Sequence, residues 1–285
     1  MQQLHPGQIT GDSIMVGVST KMYLGYQATL EWLEQLRHEV DIRPALAAGR
    51  VVPFVIPSFP LLPAAAALLR DSPMLLGAQN CGWADGPWTG EVAPSMLAEL
   101  GVRLVEIGHA ERRRHFGEDE AMIARKVRAA AEAGLTPLLC VGEPDGGSAA
   151  SAAEFVHRQI RSAVAGDREL AAGLVIAYEP VWAIGTAEPA GAGYVSDVVR
   201  RLRGHLAASG LEGLPVIYGG SAKPGLLPRL DGVSGLFLGR FAHNPANFGA
   251  VLDEALRLDE ARHRRTCPPA AANSGQNAIL PTGRV

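Results

Sequence analysis

Glu179 stands at the end of an apolar run, Leu174 to Ala177 with Tyr178, and is followed at once by Pro180-Val181-Trp182-Ala183-Ile184-Gly185-Thr186. A lone carboxylate at the tip of a strand, beside a stiff-then-flexible loop, suits a general base under a closing lid. The chemistry would be proton abstraction with water kept away. The alternative is a salt-bridged surface acid, but Tyr178, Pro180 and Trp182 make the surroundings apolar, which raises a carboxylate's pKa and strengthens it as a base. His109 is the second candidate, in Gly108-His109-Ala110-Glu111-Arg112-Arg113, where a histidine follows a glycine at a strand end and precedes a charged helical turn. The helix dipole disfavours an imidazolium there, so a neutral ring can donate a hydrogen bond to a carbonyl oxygen; a structural cap of the same helix is the alternative. Lys21, in Ser19-Thr20-Lys21-Met22-Tyr23, is a cation for an anionic substrate or else a solvated loop lysine. The turns Tyr218-Gly219-Gly220-Ser221 and Leu238-Gly239-Arg240 present backbone N–H groups of the kind that hold phosphate. Each alone is equally an ordinary strand-to-helix turn.

These residues need elements that bring them together. Short apolar runs at 14–18, 51–56, 74–78, 104–107, 136–141, 174–177, 215–218 and 235–238 read as eight strands, hydrophobic throughout as parallel strands under helices are. Helix-period segments lie between them, such as Leu30, Leu33, Leu36, Val40 and Phe248, Val251, Leu252, Ala255. Ser196 or Asp197 is the expected cap of the segment carrying Val198, Val199 and Leu202, and Gly134 closes the helix before Thr136. Eight such units without a break in composition predict an α/β fold, one (β/α)8 barrel, with active-site residues at the C-terminal strand ends. A doubly wound sheet is the runner-up, but it usually has fewer strands, and no glycine-rich dinucleotide fingerprint follows the first strand. The predicted organisation is a flexible segment over 1–13, the barrel over 14–258, and a disordered tail over 259–285 that is rich in Arg, Pro, Ala and Asn.

The chain of 285 residues is 47% hydrophobic and carries a formal net charge of −3, with the charges interspersed. No basic stripe points to nucleic acid, and no run is long and apolar enough to span a membrane. Cys81, Cys140 and Cys267 are scattered without metal-ligand spacing, which suits a reduced, cytoplasmic compartment. Paired His/Asp ligands of a metal-dependent barrel hydrolase are missing from the strand ends.

Seven segments in order resemble the triosephosphate isomerase family: Lys21-Met22, Gln79-Asn80-Cys81, Thr89-Gly90-Glu91, Gly108 to Arg113, Cys140-Val141-Gly142-Glu143, Ala177 to Thr186 and Tyr218 to Ser221. They span roughly Ile14 to Leu258. The resemblance implies a cofactor-free, metal-free aldose–ketose isomerase of a small phosphorylated sugar, working through an enediolate, with a place in glycolysis and gluconeogenesis. It implies Glu179 as the base, neutral His109 as the group that polarises the carbonyl, Lys21 as the cation and Glu111 as an acid that interacts with Lys21 or relays protons. Gly185, Ser221, Gly239 and Arg240 match phosphate-gripping positions, and Ser19 matches a substrate-binding one. It also implies a homodimer in which the Thr89-Gly90-Glu91 loop enters the neighbour's pocket, beside a segment with two exposed tryptophans, Trp83 and Trp88.

The departures are specific. Ser19 replaces the family's usual Asn, Tyr23 a second Asn, Ala110 a Ser and Arg240 a Gly, and Ala187-Glu188-Pro189 replaces the usual second half of the lid. Arg240 either adds a cation or fills space. Retained proton-transfer residues with an altered lining predict, as an alternative, an isomerase of a tetrulose phosphate such as erythrulose phosphate in polyol degradation. A non-catalytic phosphosugar-binding barrel is a further alternative, opposed by the joint retention of Lys21, His109 and Glu179.

Overall fold

Each of the eight apolar runs forms a strand, and successive strands pair in parallel until the last closes on the first. A computed structural model describes residue 9 and residues 11–185 and 190–266. The strands are β1 (Ile14–Ser19), β2 (Val51–Ile56), β3 (Leu75–Ala78), β4 (Leu104–Ile107), β5 (Thr136–Val141), β6 (Val175–Tyr178), β7 (Val216–Tyr218) and β8 (Gly235–Leu238). They make a closed barrel in chain order. Ile14 registers with Val51 on one side of β1, and Met15 with Gly235 on the other.

The helices are α1 (Tyr26–Asp41), α2 (Leu62–Leu68), α3 (Pro94–Glu99), α4 (Ala110–Phe116), α5 (Glu120–Glu132), α6 (Ala149–Val164), α7 (Arg168–Ala172), α8 (Ala192–Ala208) and α9 (Pro245–Thr266). Strand side chains alternate between two cores, as the two-residue period requires. Met15, Phe54, Leu104, Leu138, Ala177, Ile217 and Phe237 fill the barrel interior, with Ile9 packed against them. Val16, Val18, Val55, Val105, Leu139 and Ile176 face outward to Leu33, Leu36, Val127, Val156, Val199 and Leu252 of the helices. Phe54 and Phe237 stack at 5.6 Å across the barrel. The space comes from Gly17 on β1, where any Cβ would overlap the Phe54 ring. The Trp32 indole of α1 donates to the Ala242 carbonyl at 3.0 Å, tying the first unit to the last.

Three local expectations change. α8 begins at Ala192 with Gly191 as its cap, so Ser196 and Asp197 lie within the helix. The Ser196 hydroxyl accepts from the Asp231 amide, and Asp197 pairs with Arg200 and Arg201. The seventh unit has no α-helix after β7, only a 3-10 turn at Leu227–Arg229. Finally, α9 continues to Thr266, past the expected start of the tail at 259. Asp259 is buried and ion-paired to Arg50 at 2.8 Å, and Glu260 pairs with Arg264, so this last part of the helix is bound to the barrel and to itself. Residues 1–8, 10, 186–189 and 267–285, which include Ala187-Glu188-Pro189 and Cys267, lie outside the described residues.

Candidate active site

A cavity of about 580 Å³ opens at the C-terminal ends of the strands. Every residue expected to do chemistry lines it: Ser19 and Lys21 after β1, His109 and Glu111 after β4, Glu179 and Gly185 after β6, Ser221 after β7, and Gly239 and Arg240 after β8. Barrel closure brings these positions together from five separate strand ends.

His109 is the N-cap residue of α4, and its Nδ1 accepts the Glu111 backbone N–H at 3.2 Å. The structural reading of this histidine, a cap of the helix, therefore holds, and its ring lines the cavity as well. Because Nδ1 is an acceptor, the single proton of a neutral ring belongs on Nε2. Nε2 faces the cavity, 3.4 Å from Glu179 Oε2 and 3.9 Å from Glu106 Oε1. Lys21 Nζ donates to Glu111 Oε1 at 2.6 Å. The backbone of Lys21 is left-handed, with φ of 48°, and its carbonyl accepts from Ser58 Oγ and Gln79 Nε2, both at 2.8 Å, and from Thr20 Oγ1 at 3.2 Å.

Burial shapes the protonation states. Desolvation, reinforced by the Glu106 charge, pushes the Glu179 carboxyl up to about 8, and Lys21 offsets only part of that. Desolvation and the neighbouring Lys21 push His109 down to about 4, so the ring is neutral at ordinary pH. For Lys21, desolvation acts downward, but the Glu111 pairing and the charges of Glu179 and Glu106 outweigh it and the pKa is raised. A carboxyl of raised pKa, a neutral imidazole and a lysine held protonated thus meet at one cavity.

The β7–β8 side of the cavity carries the glycine turns. Gly219, Gly220 and Ser221 line it, and the turn after β8 opens the 3-10 helix Arg240–His243. The Arg240 guanidinium lies 5.6 Å over the Tyr23 ring, so this residue adds a cation braced on an aromatic face. Lys223 and Arg114 also line the cavity and leave its rim basic within a chain of net negative charge. Gly219 has a second role, since a Cβ there would overlap the Glu179 carboxylate.

Two carboxylates take parts that the sequence pattern did not reveal. Glu106, on β4, is 4% exposed, lines the cavity and accepts a hydrogen bond from Ser19. Desolvation pushes it up to about 7, against the pull of Ser19 and Lys21. The available signal was one charge in the otherwise apolar strand Leu104-Val105-Glu106-Ile107. Glu143, after β5, accepts from Trp182 Nε1 at 2.9 Å, Tyr194 Oη at 2.9 Å and Tyr178 Oη at 3.2 Å. Tyr178 and Trp182, expected to surround Glu179, instead anchor the first half of the lid to Glu143. The Thr89-Gly90-Glu91 loop is exposed. Trp88 is exposed as expected, but Trp83 is half-buried, with Trp88 at 4.9 Å and the Arg125 guanidinium at 5.1 Å.

The triosephosphate isomerase family model matches residues 14–255. An L-erythrulose-1-phosphate isomerase of Pectobacterium atrosepticum is 48% identical over 250 residues, covering 86% of this chain and 96% of that protein. A triosephosphate isomerase of a Synechococcus strain is 36% identical, covering 84% of this chain and 96% of that protein. Among solved structures, triosephosphate isomerase from Bartonella henselae superimposes with a TM-score of 0.69 at 27% identity, covering 86% of this chain and 99% of its own.

Proposed function

Because the chain belongs to the triosephosphate isomerase family, we propose that it is a phosphosugar isomerase whose substrate is a four-carbon ketose phosphate of the L-erythrulose 1-phosphate type. The observation that carries the substrate reading is the 48% identity, over nearly the whole of both chains, to a protein of that name, against 36% to a triosephosphate isomerase. The altered lining at Ser19, Tyr23 and Arg240 supports it.

Glu179 removes the proton from the carbon beside the carbonyl. The C–H electron pair becomes the C=C bond of the enediolate, and the former carbonyl oxygen takes the negative charge. The Nε2–H of His109 donates to that oxygen, and Lys21 supplies positive charge beside it. The protonated Glu179 then returns its proton to the neighbouring carbon while a hydroxyl proton passes between the two oxygens through His109. In a triose phosphate this interconverts ketose and aldose. In a 2-ketotetrose 1-phosphate, the proton leaves carbon 3 and returns to carbon 2, and the carbonyl moves from carbon 2 to carbon 3. The phosphate sits against the turns at Gly185, Ser221, Gly239 and Arg240, and Glu111 keeps the Lys21 ammonium in place. The first half of the lid, fastened to Glu143, closes over the reaction. Two copies pair through the exposed Thr89-Gly90-Glu91 loop, in the cytoplasm.

The test is a turnover panel with L-erythrulose 1-phosphate, dihydroxyacetone phosphate and glyceraldehyde 3-phosphate. The reading expects the highest kcat/KM on the tetrulose phosphate, and far more efficient turnover of the trioses refutes it. Glu179→Gln should reduce kcat by roughly 10²- to 10⁴-fold, the worth of a positioned general base, while phosphate binding stays detectable. Surviving activity would remove Glu179 from the role of base.

A further inference from the structure

Glu106 has no part in the proton transfer just described, yet it is buried in the wall of the same cavity. A buried carboxylate is costly unless donors surround it. Lys21, the nearby cation, is already bonded to Glu111, and Ser19 supplies the one hydrogen bond attributed to Glu106. Its Oε2 is buried without a hydrogen-bond donor among the described residues. Its Oε1 lies 3.9 Å from His109 Nε2, the atom assigned to the substrate oxygen. The side chain thus lines the cavity with one oxygen left without a donor and the other near the atom assigned to the substrate oxygen. Ser19, 5% exposed at the end of β1, lines the same cavity with a short hydroxyl side chain.

We propose that Glu106 and Ser19 form a hydroxyl-binding subsite that takes the terminal hydroxymethyl group, the part a tetrulose phosphate has and a triose phosphate lacks. The proposal rests on the tetrulose reading above. The terminal O–H donates to Glu106 and fills the one acceptor position the protein leaves open, and the Ser19 hydroxyl remains on the other side of the carboxylate. A triose phosphate leaves Glu106 unsatisfied, which turns a desolvated acceptor into a device for discrimination. Glu106 is thereby a specificity-determining residue, distinct from the base Glu179.

The experiment measures the ratio of kcat/KM for L-erythrulose 1-phosphate to that for dihydroxyacetone phosphate in wild type, Glu106→Val and Glu106→Gln. The influence of Glu106 on the Glu179 base is common to both substrates and cancels in the ratio. A bond from a substrate hydroxyl to a buried carboxylate is worth roughly 10- to 100-fold. The ratio should fall by that factor in Glu106→Val and by less in the isosteric Glu106→Gln, which carries the test if the Val variant does not fold. The wild-type enzyme assayed with 4-deoxy-L-erythrulose 1-phosphate should lose a similar factor, and Glu106→Val should lose little more on going to that analogue. Wild type turning over the tetrulose phosphate with the ratio unmoved in the folded variants overturns the subsite alone. Wild type failing to turn it over overturns the subsite together with the substrate reading.

Discussion

Replacing Glu106 by Gln keeps the side chain's shape and removes its charge, and the basicity of Glu179 is the first quantity that should respond. Both carboxylates reach the same imidazole nitrogen, at 3.9 and 3.4 Å. Their nearer oxygens are therefore no more than about 7.3 Å apart, which at an effective dielectric constant of about 20 corresponds to about 2 kcal/mol of repulsion. A fully charged neighbour would thus hold the Glu179 pKa up by between one and two pH units, to order of magnitude. Glu106 itself titrates at about 7, so it carries only part of its charge through the relevant range. The expected net effect is about one pH unit. The acid limb of kcat/KM, set by the free enzyme's base at about 8, should move down to about 7 in Glu106→Gln. At pH 6 the variant should retain about tenfold more of its own plateau rate than wild type does. The assay is kcat/KM against pH from 5.5 to 9.5 on dihydroxyacetone phosphate, read as the position of the limb and not its height. The substrate phosphate titrates near pH 6, identically for both proteins, so it drops out of the difference. A limb that stays in place, or moves up, refutes the electrostatic coupling of the two carboxylates.

Gly219→Ala places a methyl group against the Glu179 carboxylate; a displacement of the base by about 1 Å should lower kcat on the order of 10²-fold. Urea unfolding at unchanged midpoint beside that loss would locate the effect in the site, whereas a wild-type kcat would show that the base has room to move. Glu106→Leu should stabilise the protein in a pH-dependent way. The folded-state pKa of Glu106 is raised, so the folded chain holds a proton that the unfolded chain releases, and wild-type stability falls as pH rises from about 4.5 to about 7. The variant escapes this loss and should gain roughly 3 kcal/mol more at pH 8 than at pH 5. Denaturant unfolding at the two pH values checks the sign, and an equal gain at both contradicts the buried, protonated carboxyl.

The strands were legible because a parallel strand covered on both faces must be apolar throughout, and runs such as Val51–Ile56 and Thr136–Val141 show that with no knowledge of their partners. The placement of Glu179, His109 and Lys21 around one cavity was legible because they stand at strand ends, which barrel closure brings together. What escaped depended on barrel closure. The role of Glu106 becomes visible only when β1 brings Ser19 beside it and β6 brings Glu179. The convergence on Glu143 joins residues 35, 39 and 51 positions apart. Ser196 was misread as a cap because its hydroxyl does satisfy a backbone amide, but that amide belongs to Asp231 in a distant loop. The end of α9 was misplaced because what fixes Asp259 is Arg50, on the far side of the sequence.

The left-handed backbone of Lys21 bears on how this site can be inherited or moved. A lysine in that conformation is uphill by roughly 1–3 kcal/mol; of the three donors that hold its carbonyl, Thr20 is its neighbour, but the two shorter bonds come from the chain after β2 and after β3. The Lys21 cation is therefore not a portable loop. A chimaera that joined this β1 unit to a related barrel without counterparts of Ser58 and Gln79 would carry Lys21 and Thr20 intact and lose the two shorter bonds. Its ammonium would then settle where the relaxed peptide allowed. Recombination with a barrel that lacks those two donors should accordingly preserve the Lys21 conformation only at junctions beyond Gln79, so that the first three units travel as one heritable block.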